Sequence, residues 1–329
     1  MADDTTICVP QEHETPATTF EWAGYQCRYA YARSADSRVA GDPGQDRLVL
    51  RSNEQQLALV LCDGVSQSFV GDLAARLLAD ALLDWLITIP EGGTATVVAS
   101  LTERLTTLIA EVQPVIDGFV LPNQLSAMLR EVLEQKRTLG SESTFVAVQI
   151  SIPKERLVLA WMGDSRMRLW GTQEERTHEF GNSFHTAERW SSRRGLVGTP
   201  HVAVLPLPDV TRLLIYSDGL TQLDQQADML SNEALNSLIT AADNTPTSDD
   251  VSLIEVWRTP PEQRSDDKLI APAHPSSHAA PAEQITPVAA KDTSVQSHPL
   301  EALRALLNRW LLFIIGACLV IIGILLLRR

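Results

Sequence analysis

Several common patterns are missing from this 329-residue chain, and each absence closes off a class of function. Its four cysteines, Cys8, Cys27, Cys62 and Cys318, form no C-x-x-C pair, which excludes a zinc ribbon and a disulfide framework and fits a reducing compartment. Basic residues are scarce: 27 Lys and Arg stand against 41 Asp and Glu, a formal net charge of -14, and no basic stripe is visible. A general nucleic-acid binder needs clustered cations on one face, so nucleic acid is not an expected partner. The polar, acidic N-terminus has no basic stretch leading into an apolar one, and no signal peptide is expected. No G-x-S-x-G elbow occurs, so nothing points to a serine nucleophile. No internal repeat is found. What remains is ordinary globular composition, 44% hydrophobic and 21% charged, in a chain long enough for one or two buried cores.

Three segments follow an N-terminal extension at 1–18. Residues 310–327, WLLFIIGACLVIIGILLL, carry no charge and are bounded by Arg309 on one side and by Arg328 and Arg329 on the other. As a helix they would span about 27 Å, close to the hydrocarbon thickness of a bilayer, with Trp310 at an interfacial position. A transmembrane anchor is therefore expected within 301–329, inserted after synthesis and leaving the preceding domain in the cytoplasm. Residues 259–300 are rich in Pro, Ala and Ser and read as a disordered linker, with an end-to-end distance on the order of 35 Å. His274, His278 and His298 within it read as solvated linker residues.

The compact domain is expected at 19–258. Apolar residues recur at helical spacing over 72–87 (Leu73, Leu77, Ala81, Trp85), 96–112 and 124–138. Candidate strands are 57–62, 144–150, 157–162, 213–217 and 251–257. Strands and helices come in blocks, which favours an α+β fold.

Acidic residues fall at the ends of these strands. Asp63-Gly64 follows LALVLC, Gly163-Asp164 follows LVLAWM, Asp218-Gly219 follows LLIYS, and Asp249-Asp250 precedes VSLIEV. A single Asp-Gly after a strand reads as a turn, since both residues tolerate positive φ. Several carboxylates converging at one end of a sheet repel one another unless neutralised, and a hard divalent cation with oxygen ligands, Mg2+ or Mn2+, is the usual remedy. Gly64 would let its own carbonyl approach such an ion.

The segments GQDR at 44–47, DGVSQSFVGDLAA at 63–75, STF at 143–145, GDSR at 163–166, SDGL at 217–220 and DDVSLIEV at 249–256 resemble, in order and spacing, the motifs of PP2C-type (PPM) metal-dependent serine/threonine phosphatases. Gly195 to Gly198 resembles a further leucine-glycine motif of that family. The resemblance implies a four-layer αββα sandwich, two central antiparallel sheets flanked by helices. It implies two Mn2+ or Mg2+ ions, and a third, weaker site. Asp63 would bridge the two, the Gly64 carbonyl would complete one site, Asp218 and Asp249 would ligate the other, and Asp164 would serve the third. Asp46 would hold water at the metals, so that Asp46, Asp63 and Asp218 carry the catalysis. Substrates would be phosphoserine or phosphothreonine proteins, products of a Ser/Thr kinase. A catalytically silent, membrane-tethered binding or sensing module is the alternative.

Three departures from the family pattern stand out. Val65, Ser66 and Gln67 follow Asp63-Gly64 in place of further glycines or a proton-donating histidine, so the proton donor is unassigned. Gly41 to Gly44 occupy the stretch where a phosphate-binding arginine is usual, leaving Arg38 as the nearest candidate and Arg33 as the next. Asp249-Asp250 stands where Asp-Asn is common; either residue is a candidate ligand, and the alignment favours Asp249. The polar stretch 173–194 resembles in position a variable flap that reads substrate, or is a plain exposed loop. Ser66 or Ser68 is expected to cap the following helix.

Overall fold

The computed structural model describes residues 4–243 and 248–258. The linker and the apolar run at 310–327, with the three linker histidines, lie outside the described residues, among which no helix is long and apolar enough to cross a membrane.

Strands at Thr5–Cys8 (β1), Thr15–Trp22 (β2), Tyr25–Ala32 (β3), Asp46–Ser52 (β4), Gln56–Gly64 (β5), Glu142–Ser151 (β6), Arg156–Met162 (β7), Arg166–Trp170 (β8), Arg189–Ser191 (β9), Gly195–Val197 (β10), His201–Pro206 (β11), Arg212–Tyr216 (β12) and Val251–Arg258 (β13) form two sheets. In the first, the order is β1-β4-β5-β6-β7-β11, with β9 pairing both β6 and β10; in the second it is β2-β3-β13-β12-β8. Every pairing among these strands is antiparallel. The helices are Ala35–Ala40 (α1), Gly71–Ile87 (α2), Thr94–Gly118 (α3), Ala127–Leu139 (α4) and Asn232–Asp243 (α5).

The period-2 alternation of the strands builds the layers. On β5, Leu57, Leu59 and Leu61 enter a core shared with Ile254 and Val256 of β13, so the two sheets face each other. The alternate residues Ala58, Val60 and Cys62 pack instead against Leu78, Leu82 and Trp85 of α2 and Leu101 and Leu105 of α3. Covered on both faces, β5 reads as an unbroken apolar run from Leu57 to Cys62, and β6 is buried along its whole length, polar residues included. On the far side, Val251 and Leu253 of β13 meet Leu235 and Ile239 of α5. The stacking is thus helix, sheet, sheet, helix, a mixed α+β fold. Each fully buried leucine in these cores contributes about 1.5–3 kcal/mol.

The helices at 72–87, 96–112 and 124–138 are found as α2, α3 and α4; α3 runs further, through Pro114. The stretch 5–18, set apart above as an extension, carries β1 and the start of β2, which pair with β4 and β3. No serine caps α2. Its N-cap is Val70, held at φ 47° with no side-chain cap, while the Ser68 hydroxyl donates to the Val65 carbonyl (2.8 Å) and accepts from the Glu142 amide (3.1 Å). Ser68 therefore stitches the Asp63-Gly64 loop to β6.

Candidate metal centre

The antiparallel register places Asp46, the first residue of β4, directly opposite Asp63, near the end of β5. Like charges in that relation are destabilising. Asp164 lies in the turn between β7 and β8, after Gly163 at φ +114°, where a Cβ would fall 2.3 Å from Thr144 Cβ. Asp218 opens a 3-10 helix that follows β12. The structure brings one carboxylate oxygen each of Asp63, Asp164 and Asp218 within 4.8 Å of one another. Asp46 and Asp249 are outside that triplet but are electrostatically coupled to it, Asp46 through Asp63 and Asp249 through Asp218.

The cost of this crowding appears in the carboxyl groups. At an effective dielectric constant of about 20, two full charges under 5 Å apart repel by roughly 3–4 kcal/mol. Burial, then the neighbouring Asp250, pushes Asp46 well above the usual carboxylate range, although the Ser252 and Ser217 hydroxyls pull the other way. Burial, then Asp46, does the same to Asp63. Asp218 is pushed up to about 6 by burial, then by Asp249 and Asp164, against Arg166 and the Gly219 amide. Asp249 is an exposed residue, and desolvation of its carboxyl is the largest cause of its raised pKa, with the Asp250 amide pulling the other way. Arg166, the cation named against this repulsion, forms an ion pair with Asp224 at 3.1 Å. An all-oxygen set of mutually repelling, desolvated carboxylates fits a hard divalent cation.

Gly64 has a packing role that its sequence context does not reveal. A Cβ there would lie 2.4 Å from the backbone C and O of Gly71, so the loop carrying Asp63 rests directly on the start of α2. The Ser143 hydroxyl donates to the Asp63 carbonyl at 2.8 Å and fixes that loop from the other side.

Asp249 and Asp250 separate clearly. The Asp250 carboxylate is buried and accepts from two backbone amides, Ser34 N at 2.5 Å and Gln45 N, whereas Asp249 accepts from the Asp250 amide at 2.9 Å. Arg38 lies in the last turn of α1. Arg33 follows β3 directly; its Nε and Nη2 donate to the two Glu14 oxygens (2.9 and 3.3 Å) and its Nη1 to the Asp42 carbonyl (3.2 Å). These long-range partners, Asp250 to Ser34 and Gln45 and Arg33 to Glu14, have no signature in the sequence.

The stretch 173–194 is more anchored than a plain loop. Phe180 and Phe184 pack on Trp161 of β7, with ring centroids 5.3 and 6.1 Å away, and β9 joins β6. His185 donates its amide to the Gly163 carbonyl at 2.9 Å, which ties the segment to the turn bearing Asp164.

The family model for protein phosphatase 2C matches residues 34–269, well over half of the chain. The chain belongs to the protein phosphatase 2C family, whose members depend on Mg2+ or Mn2+. No curated protein matches it by sequence. Among solved structures, a point variant of a bacterial serine phosphatase superposes with a TM-score of 0.50 at 17% identity, covering 70% of this chain and 97% of that one. Serine/threonine phosphatase Stp1 from Staphylococcus aureus gives 0.48 at 16% identity (70% and 94% covered), and serine-threonine phosphatase 2C from Toxoplasma gondii 0.48 at 14% (78% and 99%).

Proposed function

We propose that the chain is an active metal-dependent protein phosphatase that hydrolyses phosphoserine and phosphothreonine on proteins. The observation that carries this reading is the triplet Asp63, Asp164 and Asp218, whose charges repel unless a cation joins them. Asp63, with the Gly64 carbonyl, Asp218 and Asp249 would hold two Mn2+ or Mg2+ ions, and Asp164 a third. Bound there, the ions supply a water of lowered pKa near neutral pH and neutralise charge on the phosphoryl oxygens. Asp46, buried and hydrogen-bonded to Ser252, accepts a proton from water or orients it. Of the two arginines, Arg33 is preferred over Arg38 as the phosphoryl contact. Its side chain abuts Gly44, two residues before Asp46, and it is immobilised by Glu14. The membrane tether through 310–327, with the domain on the cytoplasmic side, completes the proposal and rests on the sequence.

The test is release of phosphate from a phosphothreonine peptide by the full chain in detergent, with Mn2+, with EDTA and with Asp63→Asn. Turnover that needs Mn2+ and Asp63 is expected; equal rates in wild type and variant would refute an enzyme. For the tether, protease added to sealed vesicles should digest the domain only from the cytoplasmic face, and protection there would overturn the topology.

A further inference from the structure

Chain residues 34–45 leave the sheets between β3 and β4, form α1 and return. Arg33 stands immediately before this excursion and Asp46 immediately after it, so the phosphoryl contact and the water-holding carboxylate proposed above are separated by the length of a loop. Something must fix their distance. One carboxylate does so from the opposite direction: Asp250, just ahead of β13, accepts from the Ser34 amide with Oδ1 (2.5 Å) and from the Gln45 amide with Oδ2, clasping both ends of the excursion. The same strand end holds Asp46 itself, through the Ser252 hydroxyl at 2.6 Å, and Ser217 joins by donating to the Asp250 carbonyl at 3.3 Å. Within the excursion, the Asp42 carbonyl accepts from Arg33, and Gly44 is latched to Gln11 by its amide (2.9 Å) and its carbonyl (3.0 Å).

We propose that Asp250 is a positioning residue for the catalytic site, a clasp that sets Arg33 and Asp46 relative to each other, and not a metal ligand. The geometry calls for a carboxylate. The Ser34 and Gln45 N–H groups face different oxygens of Asp250, and an amide in its place would turn a nitrogen that only donates toward one of them. The excursion and the acid at position 250, two of the departures noted in the sequence, thereby become parts of one device.

The inference rests on the phosphatase reading for its catalytic consequence, but the clasp itself is measurable without metal. In EDTA-treated full-length protein, amide hydrogen exchange at Ser34 and Gln45 should accelerate at least tenfold in Asp250→Ala, with Asp250→Asn, which keeps the shape and one acceptor, in between. With saturating Mn2+ and p-nitrophenyl phosphate, misplacement of the two ends should lower kcat/KM by roughly tenfold to a hundredfold, shared between a raised KM through Arg33 and a lowered kcat through Asp46. The Mn2+ concentration for half-maximal rate should change less than threefold, unlike that of Asp249→Asn. Unchanged exchange in Asp250→Asn would show there is no clasp. Faster exchange with kcat/KM within twofold of wild type would overturn the positioning role, and a Mn2+ requirement raised as far as in Asp249→Asn would make Asp250 a ligand. Should Asp250→Ala not fold, Asp250→Asn alone supplies all three readouts. A wild-type chain without Mn2+-dependent turnover would refute the phosphatase reading, while the exchange data would still decide the clasp.

Discussion

The Ser252 hydroxyl donates to Asp46 Oδ2 at 2.6 Å, joining β13 of one sheet to the first residue of β4 in the other. Both side chains are almost completely buried. The site is therefore built across the gap between two sheets, and its carboxylates come from strand ends of both: Asp46 and Asp63 from the paired β4 and β5, Asp218 and Asp249 from the ends of the paired β12 and β13.

Removing that hydroxyl with Ser252→Ala leaves a buried carboxylate short of a donor, a loss of about 1.5–3 kcal/mol for a hydrogen bond to a charged group. The Asp46 carboxyl should rise further and the Mn2+ concentration for half-maximal activity should increase by about tenfold. A metal titration of activity reads this directly, with Ser252→Thr expected to retain most of the wild-type response.

Without divalent cations the domain should lose stability as pH rises. Asp46, Asp63 and Asp218 all have raised carboxyl pKa values in the fold, about 6 for Asp218, so the folded state binds more protons than the unfolded chain above about pH 4. Their penalty is absent below the unfolded value near 4 and grows as pH passes through the folded values. In EDTA, Asp63→Asn should melt a few degrees higher than wild type at pH 7.5, with the difference shrinking towards pH 4. Mn2+ should reverse the order at pH 7.5. Thermal melts at both pH values check the sign.

Glu255, buried on β13, accepts from Arg28 of β3 and from Arg212 Nε of β12 (2.6 Å), bracing three neighbouring strands. Glu255→Ala strands two guanidinium groups and should cost about 3–5 kcal/mol in denaturant melts. Mn2+-dependent activity of the surviving folded fraction should be close to wild type per folded molecule, because this brace lies on the face of the second sheet covered by Leu230 and Asn232 rather than at the strand ends that carry the acids.

Gly64→Ala should be more damaging than an ordinary loop substitution. Its Cβ meets the backbone of Gly71, which has no flexible side chain to yield, and overpacking of that kind costs about 1–3 kcal/mol. Loss of activity larger than the loss of stability is expected, since the displaced residue adjoins Asp63. Circular dichroism melts alongside turnover separate the two.

Much of the fold could be read from the sequence pattern. The buried runs of β5, β6, β7, β12 and β13 are legible because burial constrains nearly every residue, and α2, α3 and α4 because apolar and polar residues alternate at the helical period. The N-terminal strands β1 and β2 were not, because their faces are largely open and show mixed exposure, as in Thr15–Trp22. Within the site, the acids stood out because each follows or precedes a buried strand. What distinguishes Asp250 from Asp249 is a pair of backbone amides more than two hundred residues away in sequence, and no local spacing encodes them. The missing serine cap on α2 has a similar cause: Ser68 is drawn to Val65 and Glu142 by the loop that carries Asp63.

The most direct measurement of the central claim is the Mn2+ dependence of p-nitrophenyl phosphate hydrolysis by the full chain, beside Asp63→Asn and Asp218→Asn. Saturable activation by Mn2+, abolished by EDTA and reduced at least a hundredfold in both variants, is the predicted result. Hydrolysis that persists in EDTA, or that is the same in wild type and Asp63→Asn, would contradict the metal centre.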